Sequence, residues 1–226
     1  PNRVSNFNTR QNGYDISADA LGYPESYYSP PTEAVERIEI VRGAASLQYG
    51  TQFGGFLNFK LKKGAENRKF ELVSRQSFGS FNFFNSFNSV GGTLAKGKLN
   101  YYVFAQRKQG DGWRPNSQFH VNAGYAAVRY KFNEKFSVGA EYTFMDYLAH
   151  QPGGLTDAMF NKNPLQSIRA RNWFAVNWNL AALHADYNSS KNSLINFRAF
   201  GLIAGRDALG ILDQITRADE GGYRNL

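Results

Sequence analysis

The chain has 226 residues, no cysteine and a formal net charge of +8. Without cysteine it can have neither a disulfide framework nor a thiolate metal site. Aromatic residues make up 15% of it, yet no uninterrupted apolar run approaches the ~20 residues that a membrane-spanning helix needs. Because the 26 Lys and Arg residues are dispersed along the chain, the charge fits an anionic membrane surface or ligand better than nucleic acid.

The first region, residues 1–65, is punctuated by glycine, proline and tyrosine. Its opening residues, PNRVSNFNTRQNG, lack the basic-then-apolar pattern of a signal peptide, so for an exported protein we expect a mature or truncated sequence. Turns at Tyr23-Pro24 and Pro30-Pro31 precede a predicted strand over residues 37–42.

Residues 35–62 contain the most informative motif, VERIEIVRGAASLQYGTQFGGFLNFKLK. The motif predicts a strand, a glycine turn, a short amphipathic segment and a second strand. Four charged residues fall within the first strand and its end: Glu36, Arg37, Glu39 and Arg42. Four glycines predict tight turns and close chain approach: Gly43, Gly50, Gly54 and Gly55. A phosphate-binding loop is disfavoured, because the pattern GxxxxGK[ST] is missing.

From Lys69 onward, apolar and polar residues alternate with a period of two, which predicts β-strands. The seven predicted strands cover residues 69–78, 83–95, 98–108, 119–132, 135–147, 171–188 and 192–206. In the fifth strand, for example, Tyr142 and Phe144 lie on one face and Glu141 and Thr143 on the other. In the fourth strand the alternation slips near Val128, which predicts a β-bulge.

The connections between the predicted strands alternate in length. Tight turns are predicted at residues 96–97, 133–134 and 189–191, and longer loops at 109–118, 147–170 and 207–222, with a shorter one at 79–82. Short turns at one end and long loops at the other are typical of outer-membrane barrels, whose strands need only ~9–11 residues. A soluble antiparallel sandwich with an aromatic core is the alternative that the alternation leaves open.

Residues 35–62 resemble the C-terminal half of the plug of TonB-dependent outer-membrane receptors, from ERIEIVRG to YG-x-x-x-GG-x-x-N-F. The resemblance implies a mostly β fold. Residues 1–65 would be the C-terminal part of an α+β plug domain, and residues 66–226 about the first seven antiparallel strands of a transmembrane β-barrel. Seven strands cannot close around a plug, which the ~22-stranded transporters hold. We therefore expect an incomplete barrel here, with the coupling box before Pro1 and further strands in a larger receptor.

Two further segments resemble the ferric citrate receptor-like subfamily of that family: Gly110-Asp111-Gly112-Trp113-Arg114 and Gln151-Pro152-Gly153-Gly154-Leu155-Thr156. The resemblance implies an anionic cargo bound by guanidinium groups in the outer loops and by a glutamine at the plug apex. The predicted ligand-binding residues are Gln52, Arg114, Arg169, Arg171, Arg206, Arg217 and Arg224. Each single arginine could equally be a solvated residue or a lipopolysaccharide contact. The predicted plug–barrel contacts are Glu36, Arg37, Glu39 and Arg42.

The function that this resemblance implies is import of a ferric chelate, ferric citrate or a similar anionic siderophore, driven through a TonB-type periplasmic coupling protein. Iron would arrive already chelated, because His120, His150 and His184 stand far apart and we expect no resident cofactor. Ser117 and His120 lack an acidic partner, so we expect no enzyme. The expected surroundings are outer-membrane lipid and lipopolysaccharide, without nucleic acid. Cobalamin, a peptide or an oligosaccharide stays open as the cargo, as does a soluble β-rich binding module.

Overall fold

A computed structural model of the chain describes residues 8–17, 27–42, 55–190 and 192–211, together with residues 214, 216, 217 and 219. These residues form two sheets. The small sheet contains β1 (Asn8–Gln11), β2 (Tyr14–Asp15), β3 (Val35–Val41) and β4 (Phe56–Leu61). The large sheet contains β5 (Glu71–Gly79), β6 (Phe83–Leu94), β7 (Leu99–Gly110), β8 (Phe119–Lys131), β9 (Phe136–His150), β10 (Trp173–Ser190) and β11 (Ser193–Leu209).

Helical structure is limited in the part of the chain that the structure describes. The α-helix α1 (Asp157–Lys162) lies between β9 and β10, and single turns of 3-10 helix cover Thr32–Ala34 and Ala95–Gly97. None of the helices within the described ranges combines the length and apolar character that a membrane-spanning helix requires.

The small sheet has the strand order β2-β1-β4-β3. β1 is parallel to β4, and β3 is antiparallel to it. Asn12 and Gly13 form the turn between β1 and β2 with φ angles of 48° and 95°, the left-handed geometry that Asn-Gly adopts readily in a hairpin. The backbone amide of Gly13 donates to Oδ1 of Asn58 at 2.9 Å, which joins the turn to β4.

The large sheet is one antiparallel series in which each strand pairs with the next along the chain, from β5 to β11. The prediction of seven antiparallel strands is confirmed. A single layer in sequence order excludes the two-layer sandwich that the sequence left open. In the described residues β5 and β11 are the edges of the sheet and do not pair with each other, so the barrel is incomplete, as expected.

The predicted bulge near Val128 is wrong. β8 pairs with both β7 and β9 without a shift of register. On one face of β8, Ala123 and Tyr125 are buried against the small sheet, whereas Arg129 on the same face hydrogen-bonds to Ser137 and Asp186. The face thus changes from apolar to charged along its length while the backbone alternation continues. This change of polarity interrupts the period-two pattern in the sequence in the same way that a bulge would.

The core lies between the small sheet and the face of the large sheet that contacts it, here named the inward face. Trp178, Phe87 and Leu180 on this face are almost completely buried, and Ile16 and Tyr28 pack from the other side. Burial of one large apolar side chain contributes about 1.5–3 kcal/mol. These contacts therefore attach the N-terminal region firmly to the strands.

The opposite, outward face of the large sheet carries exposed apolar side chains. Tyr142, Leu183 and Ile203 have exposed fractions of 47%, 58% and 79%. Their neighbours in sequence, such as Thr143 and Ala182, are buried on the inward face. An apolar outward face opposite a face that contacts other protein or water is typical of a barrel wall in lipid.

Residues 62–70 connect the two sheets by crossing β6 and β7 at close range. A Cβ atom on Gly64 would lie 2.2 Å from the carbonyl oxygen of Tyr101 and 2.4 Å from the backbone nitrogen of Gly92, so only glycine fits there. The side-chain amide of Asn100 donates to the carbonyl of Gly64 at 2.8 Å, and its oxygen accepts from the Gly64 amide at 3.2 Å. The connection is held by both shape and hydrogen bonds.

Candidate functional site

Glu141 of β9 is the centre of a hydrogen-bond cluster between the two sheets. Its Oε2 atom accepts from Nδ2 of Asn12 at 2.8 Å and from the hydroxyl of Tyr14 at 2.8 Å. His184 on β10 places Nδ1 3.8 Å from the other carboxylate oxygen. Burial, followed by the charge of Glu141, raises the pKa of Tyr14 well above its ordinary value. Tyr14 therefore stays protonated and remains a donor.

Next to this cluster, the amide of Gln11 donates to Oγ1 of Thr143 at 2.9 Å, and both side chains are fully buried. The Asn12 amide also donates to the Tyr125 hydroxyl at 3.2 Å. The turn between β1 and β2 is thus bound to the large sheet through side-chain hydrogen bonds, in addition to the apolar contacts of the core. Such bonds lose little when water replaces them, so they allow a buried polar element to be both specific and separable.

Aromatic contacts attach Tyr14 of β2, and Tyr27 and Tyr28 between β2 and β3, to β10 and β11. Tyr28 stacks on Trp178 with ring centroids 6.0 Å apart, and Tyr14 stacks on Phe200 at 5.7 Å. Arg206 donates to the hydroxyl of Tyr27 at 2.6 Å, and its guanidinium carbon lies 5.6 Å from the centre of that ring. Arg206, predicted as a ligand-binding residue, therefore contacts the N-terminal region.

Glu33, in the 3-10 turn before β3, contacts the large sheet on another side. Its carboxylate accepts from Nδ2 of Asn85 at 2.9 Å, and Asn85 accepts from Gln106 at 2.9 Å. Burial opposes ionisation of this carboxyl, but hydrogen bonds from its own backbone amide, Asn85 and Thr32 outweigh burial and lower its pKa. Glu33 is therefore held as a carboxylate at the junction.

The predicted plug–barrel contacts lie on β3 and at its end. Arg37 pairs with Glu39 at 2.9 Å and with Glu36 at 3.4 Å, and Asn58 donates to Glu39 at 2.7 Å. All of these bonds are within the small sheet. Arg42 is exposed at the end of β3. A contact of these four residues with a barrel stays a prediction.

Three loops meet at one end of the large sheet, here named the loop end: residues 111–118, residues 151–172, and the described residues 210, 211, 214, 216, 217 and 219 of the third loop. Asn116 connects the first two, because its side-chain amide donates to the carbonyl oxygens of Arg169 at 2.7 Å and Asn172 at 3.1 Å. Its Oδ1 lies 2.8 Å from Nδ1 of His150. Arg114 donates to the carbonyl of Gly153 at 2.9 Å and to that of Gln166 at 3.4 Å.

The other loop arginines also bond to protein groups. Arg169 is 4% exposed, and it donates to the carbonyls of Ile168 at 3.1 Å and Gln214 at 3.2 Å, and to that of Arg217. Arg171 forms a two-pronged pair with Asp219, at 2.8 Å and 3.2 Å. The loop end is therefore a fixed assembly built from guanidinium groups and backbone carbonyls.

A cavity of about 530 Å³ lies at the loop end. It is lined by residues that include Tyr147, His150, Gly153, Arg169 and Asn172. Cavities of this size accept small organic ligands. It combines an aromatic ring, an imidazole, an amide and a guanidinium, which together can contact a polar ligand.

The structure brings together four of the seven predicted ligand-binding residues. Arg114, Arg169, Arg171 and Arg217 lie in the loop assembly, whereas Arg206 lies at the contact with Tyr27. Gln52 and Arg224 are outside the described residues, as are Gly43, Gly50 and Gly54 of the motif. In the described ranges no group of three or more His, Cys, Asp or Glu side chains could hold a metal ion.

Sequence reasoning missed the residues that join the sheets: Gln11, Asn12, Tyr14, Glu33, Asn85 and Glu141. One signal was available for Glu141, a carboxylate on the polar face of an otherwise apolar strand. Asn12-Gly13 also signalled a hairpin turn. Nothing in the sequence indicated that this turn would meet Glu141, because the two are separated by 127 to 129 positions along the chain.

A comparison with models of known protein families finds no match to the chain. Among solved structures, the ferric citrate transporter in its unliganded form is similar over 93% of this chain, with a TM-score of 0.77 and 23% identity. The ferripyoverdine receptor of the outer membrane of Pseudomonas aeruginosa is similar over 90%, with a TM-score of 0.72 and 16% identity. The ferric preacinetobactin receptor from Acinetobacter baumannii is similar over 90%, with a TM-score of 0.73 and 14% identity.

These likenesses define the class of fold. The chain has the partial β-barrel fold of these outer-membrane transporters and receptors, with seven neighbouring antiparallel strands and a small sheet on their inward face. It spans 32%, 28% and 31% of the length of those three structures, which is about a third of each.

Proposed function

We propose that the chain is the C-terminal part of a plug, residues 1–65, and the first seven barrel strands, residues 66–226, of a TonB-dependent outer-membrane receptor that imports a ferric chelate. The observation that carries this proposal is the position of the small sheet on the inward face, bound through Glu141, Thr143 and Asn85. Structures with this arrangement include receptors for ferric siderophores. The polar character of the contact supports a plug that must be retained and yet move.

The proposed cargo is ferric citrate or a similar anionic siderophore. The proposed ligand-binding set is Gln52, Arg114, Arg169, Arg171, Arg206, Arg217 and Arg224. Support comes from four of these arginines in one loop assembly beside a cavity of about 530 Å³. Carboxylate groups of a cargo would compete with Asp219 and the loop carbonyls for the same guanidinium donors. Binding would thereby change the loop arrangement, which is how an occupied receptor could differ from an empty one.

The proposed partners follow from that role. A TonB-type periplasmic protein would transmit the inner-membrane proton-motive force to the plug, and Glu36, Arg37, Glu39 and Arg42 would pair with barrel strands that surround it. The outward face would lie in outer-membrane lipid and lipopolysaccharide. The protein would be no enzyme and would need no resident cofactor, since iron is the cargo and enters as its chelate.

The test uses the full-length receptor that carries this chain. Membrane fractionation and heat-modifiable gel mobility should show an outer-membrane barrel, and iron starvation should induce it. Radiolabelled ferric citrate should bind to the purified receptor, and Arg171→Gln should weaken that binding, whereas Arg68→Gln, far from the loop end, should not.

The outcomes separate the levels of the proposal. A water-soluble product without a mobility shift would refute the outer-membrane receptor. A barrel that binds no ferric citrate but binds cobalamin, a peptide or an oligosaccharide would keep the importer and replace the cargo.

A further inference from the structure

A second cavity, of about 840 Å³, lies between the two sheets at the end opposite to the loops. Its lining includes Gly97, Lys98 and Glu134 from the tight turns of the large sheet, and Arg37 and Lys60 from the small sheet. It shares no lining residue with the loop-end cavity. Its volume is within the range of about 300–1,000 Å³ typical of ligand sites.

The charge of this cavity is unbalanced. Nine Lys and Arg residues line it, against five Asp and Glu residues. Four of the five acidic groups already have protein donors. Those pairs are Glu36 with Arg37, Glu134 with Lys131, Asp186 with Arg129, and Glu141 with Asn12 and Tyr14. The remaining positive charge therefore has little protein charge to neutralise it among the described residues.

Lys60 is at the centre of this excess. Its ammonium is half-buried, and within the described ranges it has no hydrogen-bond acceptor or ion-pair partner. Burial, together with the positive charges of Arg198, Arg37 and Lys63, lowers its pKa, and only Glu39 opposes this. Glu39 is already occupied by Arg37 and Asn58.

Arg198 faces Lys60 from the wall. It is paired across the sheet with His184, so both side chains are on the inward face. Its nearest acidic group, Asp186, is 3.9 Å away and is shared with Arg129 at 2.8 Å and Asn196 at 2.6 Å. Positively charged side chains from both sheets thus line the same cavity. Their mutual repulsion is unfavourable, and a bound anion would remove it.

We propose that Lys60, Lys63 and Arg198 form a binding site for a polycarboxylate anion, at the end of the large sheet opposite to the loops. The inference rests on the proposed function, in which it is the site that an anionic cargo reaches after it leaves the loop end. Carboxylates fit because several weakly neutralised cations from two elements can each bind one oxygen pair. The site needs no specificity for iron.

The experiment measures protection of Lys60 from acylation in the purified full-length receptor. An amine-reactive acetate ester is applied at mildly alkaline pH, because the lowered pKa of Lys60 raises its neutral, reactive fraction above that of an ordinary lysine, and acetylation is read by peptide mass spectrometry. Citrate is compared with sodium chloride of equal ionic strength. Lys131 is the internal control, because it lines the same cavity but is paired with Glu134 at 2.8 Å.

Citrate should slow acetylation of Lys60 several-fold and leave Lys131 unchanged, and Arg198→Gln should reduce the protection while heat-modifiable mobility stays normal. Equal labelling of Lys60 with citrate and chloride would overturn the proposal. So would slow labelling in both, which would show that a carboxylate from another part of the receptor already neutralises the site.

Binding of radiolabelled ferric citrate is measured on the same preparation. Protection of Lys60 without ferric citrate binding would refute the proposed cargo and retain the anion site. Binding of ferric citrate without protection of Lys60 would retain the proposed cargo and refute the anion site.

Discussion

At the residue scale, the junction between the sheets depends on a few polar side chains rather than on the charges that dominate the sequence motif. Glu141, Thr143 and Asn85 of the large sheet bond to Asn12, Tyr14, Gln11 and Glu33 of the N-terminal region. Each bond contributes only about 0.5–1.5 kcal/mol to stability, but a buried donor left unpaired costs more. Loss of Glu141, which accepts from both Asn12 and Tyr14, should therefore have the largest effect on stability.

Replacement of Glu141 by alanine should therefore loosen the small sheet. Asn12 and Tyr14 would lose their common acceptor, and an unpaired buried donor costs about 1–3 kcal/mol. Thermal unfolding of the full-length receptor should begin at lower temperature, and cells should admit more of a large antibiotic. Tyr142→Phe is the matched control, because Tyr142 is the next residue and points outward, where it bonds to Asn179. Equal stability of Glu141→Ala and wild type would contradict this role.

Glu33 predicts a pH dependence. Its pKa is lowered in the folded state, so between the folded pKa and the unfolded value, about 4.3, the unfolded chain binds more protons and stability rises with pH. The contribution is fully present above about pH 4.3 and is lost as pH falls through the folded pKa. The difference in melting temperature between wild type and Glu33→Gln should thus shrink in acid. Glu134→Gln, at a side chain that is 91% exposed, is the control variant.

At the element scale, the loops at the loop end are ordered by the side chains of a few residues. Asn116, with a φ of 58°, occupies a left-handed position and hydrogen-bonds to both ends of the 151–172 loop. Loops without such bonds exchange their amide hydrogens quickly and are readily cleaved by proteases. The elements that the proposed function requires to move are therefore held by hydrogen bonds rather than by an apolar core.

Asn116→Ala should increase hydrogen exchange and proteolysis in residues 151–172 and weaken cargo binding at the loop end. Alanine disfavours the positive φ as well as removing the amide, so Asn116→Gly separates the two causes: it accepts the backbone and lacks the side chain. Both variants should be affected, with alanine the more severe. Protection that is unchanged in the glycine variant would show that the side chain does not hold the loops.

At the scale of the whole molecule, the chain spans about a third of the length of the solved structures that it matches, and its small sheet lies on one face of an unclosed large sheet. β3 is an edge of that sheet, and its charged residues Glu36, Arg37 and Glu39 are exposed or half-exposed there. Charge pairs with further strands would be strong when formed and replaceable by water when the plug moves.

Arg42→Ala in the full-length receptor should therefore loosen the plug, raise antibiotic leakage and reduce transport. Arg68→Ala is the control, because Arg68 pairs locally with Glu71 at 3.0 Å. Leakage and transport that match wild type in Arg42→Ala would refute a plug–wall role for this residue.

The sequence alone determined the strands, because a period of two and the alternation of short and long connections are local properties. The observed strand β9, Phe136–His150, differs from the predicted one, residues 135–147, only at its ends, and β7, β8 and β10 agree similarly. The sequence did not determine which face of each strand points inward. In β8 the aromatic Tyr125 faces the small sheet, whereas in β9 the polar Thr143 does, because the inward face must match whatever the small sheet presents.

Only the tertiary structure decided how the two regions meet. The bonds of Asn12 and Tyr14 to Glu141, the position of Arg206 against Tyr27, and the convergence of Lys60 with Arg198 join residues far apart in the chain. Local propensity carries no information about such partners. They are fixed by the position in which the small sheet buries its apolar face against the large one, and hydrogen bonds and charges then follow from that position.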